Sequence, residues 1–345
     1  MAGVPAIIKP ATLTCFLTEI MVREIVDSNI LPEGSLQLIP GSGKGILDHV
    51  GHNDIVTFTG SASTGKILKS HPNIIENSVP FNMEADSLNA CVLGEDVDEN
   101  SDEFNIFIKE IYREITAKTG QKCTAVRRIL VPENKIDQVQ KALITKLEKT
   151  VIGNPENKDV RMGALASKIQ VERVKENVKL LMKSQEKVFD NSQNLNLVDA
   201  SIEKGAFFSP ILFRNNEPFF KDAVHNIEAF GPVSTLIPYK NMEEAVELVE
   251  MGKGSLVTSF ISNDDQKSKE FVVETAHTNG RILVLNSRCS NESTGHGSPM
   301  PQLVHGGPGR AGGGEEMGGV RGIKHYLQRT AVQGHPETIT KITEQ

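Results

Sequence analysis

The chain has 345 residues and a formal net charge of −7 at pH 7, a length that holds two domains and a large buried core. The acidic balance argues against nucleic acid or an anionic membrane surface as the main partner, and no run reaches the ~20 apolar residues of a membrane span. The start, MAGVPAIIKPAT, lacks a secretory signal, and four widely spaced cysteines (Cys15, Cys91, Cys123, Cys289) form no CxxC pair, which points to a reducing, cytoplasmic compartment.

Residues 1–70 alternate short strands and helices. VPAIIKP predicts a strand ended by Pro10, and ATLTCFLTEIMVREIVDSN a helix with Leu13, Phe16, Leu17, Ile20 and Met21 at helical spacing. LPEGSLQLIPG reads as a turn and a strand, GKGILDHVGHN as a short helix, DIVTFTG as a strand, and SASTGKILKS as the start of another helix. This β-α-β-α-β-α order predicts a parallel, doubly wound sheet.

A second α/β block spans about 85–290. FNIFIKEIYREITAKTGQ is a helix stopped at Gly120, RRILVP a strand and KIDQVQKALITKLEKTV an amphipathic helix. Residues 164–190 read as a further helix. GAFFSPILFR, GPVSTLIPYK, SLVTSFIS and GRILVLN read as strands, separated by the helices NMEEAVELVEMGK and DQKSKEFVVETAHT. Nine glycines then fall within 306–322. Such density means either a flexible linker or a backbone that approaches another surface closely. KHYLQRTAVQG reads as a last strand.

Several residues carry candidate chemistry. In DIVTFTGSASTG a strand runs through Gly60 and Ser61 into a helix. That helix start could bind phosphate, or Ser61 could be only its N-cap. Lys9 ends the first strand, where ligands bind in open α/β sheets, or is a solvated charge. Glu84 lies between apolar stretches; it is either a general base with a raised pKa or an acid paired to a basic neighbour. Cys123 sits in TGQKCTAVRR, and as a nucleophile it would need a base and an oxyanion site.

The ordered set IIKPAT, FTGSASTG, MEADSLN, GQKCTAVRR, EAFGPV and GRILVLN resembles the aldehyde dehydrogenase superfamily over nearly the whole chain. MEADSLNACVLGEDV, TGQKCTAVRRILVP and the block NESTGHGSPMPQLVHGGPGRAGGGEEMGG resemble, more narrowly, the dehydrogenase half of the bifunctional oxepin-CoA ring-opening enzymes of bacterial phenylacetate degradation. The resemblance implies an aldehyde dehydrogenase-like α/β fold with a Rossmann-type cofactor domain, N-terminally truncated, and an α/β catalytic domain. It divides the chain into 1–84 (partial dinucleotide-binding domain), 85–292 (catalytic), 293–328 (glycine-rich return) and 329–345 (oligomerisation strand and linker).

It also implies roles. Cys123 is the nucleophile that forms a thiohemiacetal and then a thioester, and Glu84 the base that activates water. Lys9 faces the adenosine ribose, Gly60 and Ser61 the pyrophosphate, and Glu228 and Phe230 the nicotinamide ribose. Thr12 stands where many NAD-preferring members have a glutamate. The missing carboxylate favours NADP, with NAD possible, unless another residue decides. Ala85-Asp86 replaces two glycines of the wider superfamily. The implied substrate is a CoA-linked semialdehyde. The implied state is a homo-oligomer, and no metal is expected.

The family pattern also carries a first part of the cofactor domain and, in the bifunctional enzymes, a hydratase-type hydrolase domain, and neither is found here. The rival expectation is therefore an inactive fragment that needs a separate N-terminal segment. A third, a cysteine hydrolase, would need a histidine near the thiol. His225, His296 and His305 sit in no motif of that type, and histidines in glycine loops are expected to be solvated. Cys15, Cys91 and Cys289 read as packing residues.

Overall fold

A computed structural model describes residues 3–316 and 319–344. Its centre is a seven-stranded sheet in the order Asn279–Leu285, Ser255–Ile261, Ala90–Leu93, Arg128–Pro132, Val233–Tyr239, Ile211–Arg214, Glu186–Asp190. Every pairing is parallel except the last, which is antiparallel.

The period of two along each strand explains why helices cover both faces. Cys91, Leu93, Ile129 and Val131 meet Phe107, Ile111 and Ile115 of the helix Asp102–Thr116 and Val139, Leu143 and Leu147 of the helix Ile136–Glu148. The alternate residues Ala90, Val92, Leu130 and Phe260 meet Ala245 and Leu248 of the helix Met242–Glu250 and Phe271 of the helix Asp265–Thr275. The N-cap residues of the four helices are Ser101, Lys135, Asn241 and Asp264; three of these cap with a side-chain oxygen, and Lys135 does not.

The predicted sheet of residues 1–70 forms only in part. Ala6–Ile8 pairs with Leu36–Leu38, and Val56–Thr59 pairs with Phe81–Glu84, both in parallel. The two pairs stay separate sheets. Strands of three or four residues offer few ladder bonds to recruit a further neighbour. The helix Cys15–Asp27 forms as its spacing predicts, but its apolar face stays open: Phe16 is 59% and Met21 65% exposed, and only Val22 is buried.

Two other expectations are corrected. The helix begun near residue 164 covers only Lys168–Leu181, and 186–190 is the edge strand. Its residues pair with Ile211–Arg214, a tertiary partner that local spacing does not reveal. KHYLQRTAVQG forms a short 3-10 turn at Lys324–Tyr326, and residues 327–334 carry no strand. A strand exists only against a partner edge, and this segment finds none among the described residues of the single chain.

The glycine-rich block is not a loose linker. Gly314 N–H donates to the Met83 carbonyl at 3.0 Å and Ala85 N–H to the Ala311 carbonyl at 2.9 Å. A side chain on Gly312 would collide with the Met83 carbonyl, and one on Gly307 with the Ser255 carbonyl. Backbone lies directly on backbone, which only glycine allows. Among the described residues, no helix is long and apolar enough to cross a membrane.

Candidate active site

The site lies where the strand Phe81–Glu84 ends and two strands of the large sheet have yet to begin. Glu84 is the last residue of its strand and is buried. Cys123 lies in the loop leading into Arg128–Pro132. The entry to that loop is a run of left-handed residues: Lys118 (φ 51°), Thr119 (φ 55°) and Gly120 (φ 66°). A positive φ on a β-branched threonine is strained. Here the Thr119 hydroxyl donates to the Gly163 carbonyl at 3.0 Å, and a side chain at Gly120 would strike the Gly231 backbone.

Buried side chains fix the rest of the loop. Asn89 Nδ2 donates to the Cys123 carbonyl at 2.8 Å and the Ala125 carbonyl at 3.0 Å. Its Oδ1 accepts from the Ser87 hydroxyl at 2.6 Å and Val257 N–H at 3.1 Å. Arg127 donates to the carbonyls of Gly231 (2.6 Å) and Gly120 (2.8 Å). Lys122 Nζ is held by buried Glu114 at 2.7 Å.

Three reactive groups converge. His305 Nε2 lies 3.0 Å from Glu84 Oε2 and 3.9 Å from Cys123 Sγ, and the ligating atoms of Glu84, Cys123 and His305 all fall within 4.8 Å of one another. Burial, then the Glu84 charge, pushes the Cys123 thiol up to about 12. The Glu84 carboxylate raises the His305 pKa against the opposing effect of burial.

This corrects the expectation of solvated histidines. His305 belongs to the strand His305–Gly306, paired antiparallel with Glu315–Glu316, and its side chain is 17% exposed. His225 and His296 are fully buried, and burial drives each down to about 3. No local motif marks His305; its only sequence signal is its place at the head of the glycine-rich block. Asn89, inside MEADSLN, was also missed, because its role depends on carbonyls far along the chain.

The expected cofactor residues fall into three groups. Lys9 Nζ lies 3.4 Å from Thr12 Oγ1, and Thr12 donates to the Gly41 carbonyl at 3.3 Å. Gly60 and Ser61 follow the strand Val56–Thr59 into the helix Ala62–Lys69. Gly60 N–H donates to the Glu84 carbonyl at 3.2 Å, and Ser61 caps the helix by accepting from Thr64 N–H at 3.3 Å. Asp86 accepts from Ala62 N–H at 3.0 Å, so the substituted acid sits at that helix start. Glu228 approaches Arg127 Nε at 3.5 Å, and the Arg127 guanidinium lies 5.5 Å from the Phe230 ring centroid. Burial raises Glu228 to about 7, with Arg127 opposing. Its Oε1 is buried without a hydrogen-bond partner. All four cysteines are free; Cys91 is fully buried, whereas Cys15 and Cys289 are only partly so.

The model of the aldehyde dehydrogenase family matches residues 1–332. The chain is 41% identical over 308 residues to a 3,4-dehydroadipyl-CoA semialdehyde dehydrogenase of Aromatoleum evansii, covering 89% of this chain and 60% of that one. It is 48% identical over 185 residues to Protein MaoC of Klebsiella aerogenes, covering 53% of each. A solved structure of a betaine aldehyde dehydrogenase variant from Staphylococcus aureus superposes with a TM-score of 0.80 at 25% identity, over 94% of this chain and 61% of that one. Another structure of that enzyme, in complex with NAD+, has the same TM-score. The chain thus spans about three fifths or less of the length of these relatives. The reading as a non-catalytic fragment gains no support from them. With a cysteine and a glutamate meeting at the strand end, and a family match over nearly its whole length, the chain belongs to the aldehyde dehydrogenase family.

Proposed function

We propose that this chain carries the catalytic centre of an NAD(P)-dependent aldehyde dehydrogenase whose substrate is a CoA-linked semialdehyde. The observation that carries the reading is the meeting of Cys123 and Glu84 in one partly buried corner, with His305 beside both. The relative from A. evansii, named for a CoA-linked semialdehyde, supports the substrate class.

Cys123 Sγ adds to the aldehyde carbon, and oxidation leaves a thioester on Cys123. Glu84 takes a proton from the water that attacks this thioester, and the carboxylate product leaves. Splitting the oxidation into acyl formation and hydrolysis replaces one high barrier by two lower ones. The Cys123 backbone N–H is an oxyanion donor on this reading.

The residues fit a nicotinamide dinucleotide, which when bound supplies the hydride acceptor. Glu228 Oε1, buried 3.5 Å from Arg127 Nε and making no hydrogen bond, can accept from a ribose hydroxyl. Lys9 and Thr12 form one corner for the adenosine ribose, and Gly60 and Ser61 stand beside Glu84 on the pyrophosphate path. A neutral Thr12 next to the Lys9 cation favours the 2′-phosphate of NADP over NAD. Assembly into a homo-oligomer, the cytoplasmic location and the division at 84/85, 292/293 and 328/329 belong to the same proposal.

Steady-state formation of reduced nicotinamide with a CoA-linked semialdehyde, compared between NAD and NADP, tests the reading. Turnover with a higher kcat/KM for NADP supports it. No reduced nicotinamide with either cofactor overturns it.

A further inference from the structure

His305 stands among the reacting atoms and has no part in the steps above. The backbone holds it there: Gly306 pairs with Glu315, and a side chain on Gly280 would collide with the Gly306 carbonyl. The ring Nδ1 is buried without a hydrogen-bond partner. The polar contacts of the ring are therefore at Nε2, 3.0 Å from the Glu84 carboxylate and 3.9 Å from the Cys123 sulfur. Nε2 thus faces two acceptors at once, the Glu84 carboxylate and the Cys123 sulfur.

The chemistry calls for a donor at this point. A thiol attacks only as thiolate, and both its burial and the Glu84 charge oppose its ionisation. A donor within reach of the sulfur favours the charged form.

We propose that His305 is a third catalytic group of this site, whose Nε2–H is shared between Glu84 and Cys123 and holds the thiolate that forms when the thiol proton passes to Glu84. The proposal rests on the reading of Cys123 as nucleophile. The S–H bond breaks, its proton goes to a Glu84 carboxylate oxygen, and the electron pair stays on sulfur. The Nε2–H then donates to the sulfur. As the C–S bond forms, the carbonyl π pair moves to the substrate oxygen. Charge is conserved in the proton transfer, and no oxidant enters it.

Four titratable groups surround the ring, and the three charged ones set its charge. Glu84 comes from the strand Phe81–Glu84, Cys123 from its loop, Glu316 from the paired strand and Arg281 from the strand Asn279–Leu285. Glu84, with a smaller part from Glu316, outweighs burial and Arg281, so the ring holds its proton to higher pH than a free histidine.

The test is the rate of Cys123 alkylation by iodoacetamide against pH, read by peptide mass spectrometry in the wild type, His305→Ala and His305→Gln. It needs neither aldehyde nor nicotinamide. Expected is a loss of about tenfold or more at neutral pH in His305→Ala, as one pKa unit implies, with the profile moved to higher pH. Free imidazole restores part of the rate. His305→Gln keeps the volume and an N–H donor and falls between. Wild-type rates and profiles in both variants, at unchanged melting temperature, overturn the proposal. If the variants behave as expected while the wild type makes no reduced nicotinamide, the role of His305 stands and the dehydrogenase reading falls.

Discussion

The His305 imidazole touches the Glu84 carboxylate at 3.0 Å, although one residue heads the glycine-rich block and the other ends a strand of the first hundred residues. The contact exists because Gly314 and Ala311 dock onto Met83 and Ala85 on either side of Glu84. The block thus docks its backbone beside the strand end that carries Glu84.

Replacing Glu84 by glutamine keeps the shape and removes the proton acceptor. General acid–base groups contribute about 10²–10⁴-fold, so Glu84→Gln should lower kcat by that range. A loss of kcat below tenfold, read from reduced-nicotinamide formation at saturating aldehyde, would contradict the role of Glu84 as proton acceptor.

The glycine docking predicts an asymmetry between neighbours. Gly312 has φ 108° and no room beside the Met83 carbonyl, whereas Gly313 has φ 76° and nothing within 4 Å of a built side chain. Gly313→Ala should cost only the left-handed penalty of about 1–2 kcal/mol. Gly312→Ala adds a backbone clash next to Glu84 and should cost clearly more. Urea unfolding of the two variants measures the difference, and Gly312→Ala should also slow the chemistry at Cys123.

Glu228 predicts a pH dependence of stability. Its folded pKa is raised from 4.5 to about 7 by burial. Between these values the folded state binds more protons than the unfolded state, so this group makes stability fall as pH rises. The loss is fully present above pH 7 and amounts to at most about 3 kcal/mol. Glu228→Gln should remove that slope in denaturation curves taken from pH 4.5 to 8.

Asn89 is the peg of the nucleophile loop. Asn89→Leu leaves the Cys123 and Ala125 carbonyls and Val257 N–H without their partner. Each unsatisfied buried group costs about 1–3 kcal/mol, so with three of them the variant should lose about 3 kcal/mol or more in urea unfolding. A stability within 0.5 kcal/mol of wild type, approximately the spread of neutral surface changes, would contradict this role.

Much of the second block was legible in the sequence. The periodic helices over 102–116 and 136–148 and the apolar strands declare their own faces. Cys123 and Glu84 stood out through the motifs around them. Ser61 was correctly allowed as an N-cap. What local pattern could not carry was pairing across distance. The strand Glu186–Asp190 is defined by its neighbour Ile211–Arg214, and its charged residues gave no apolar alternation. His305 was set aside because glycine neighbours usually mean solvent, yet here the glycines are the means of close docking. The helix Cys15–Asp27 shows the reverse: its apolar stripe predicts a buried face, and Phe16 and Met21 remain open.

The central claim is that Cys123 is the nucleophile of an aldehyde oxidation. Single-turnover formation of reduced nicotinamide, with a CoA-linked semialdehyde and NADP or NAD, tests it most directly in the wild type and Cys123→Ala. The account predicts a burst in the wild type, stoichiometric with protein, and none in Cys123→Ala at unchanged melting temperature. An equal burst in both proteins would contradict it.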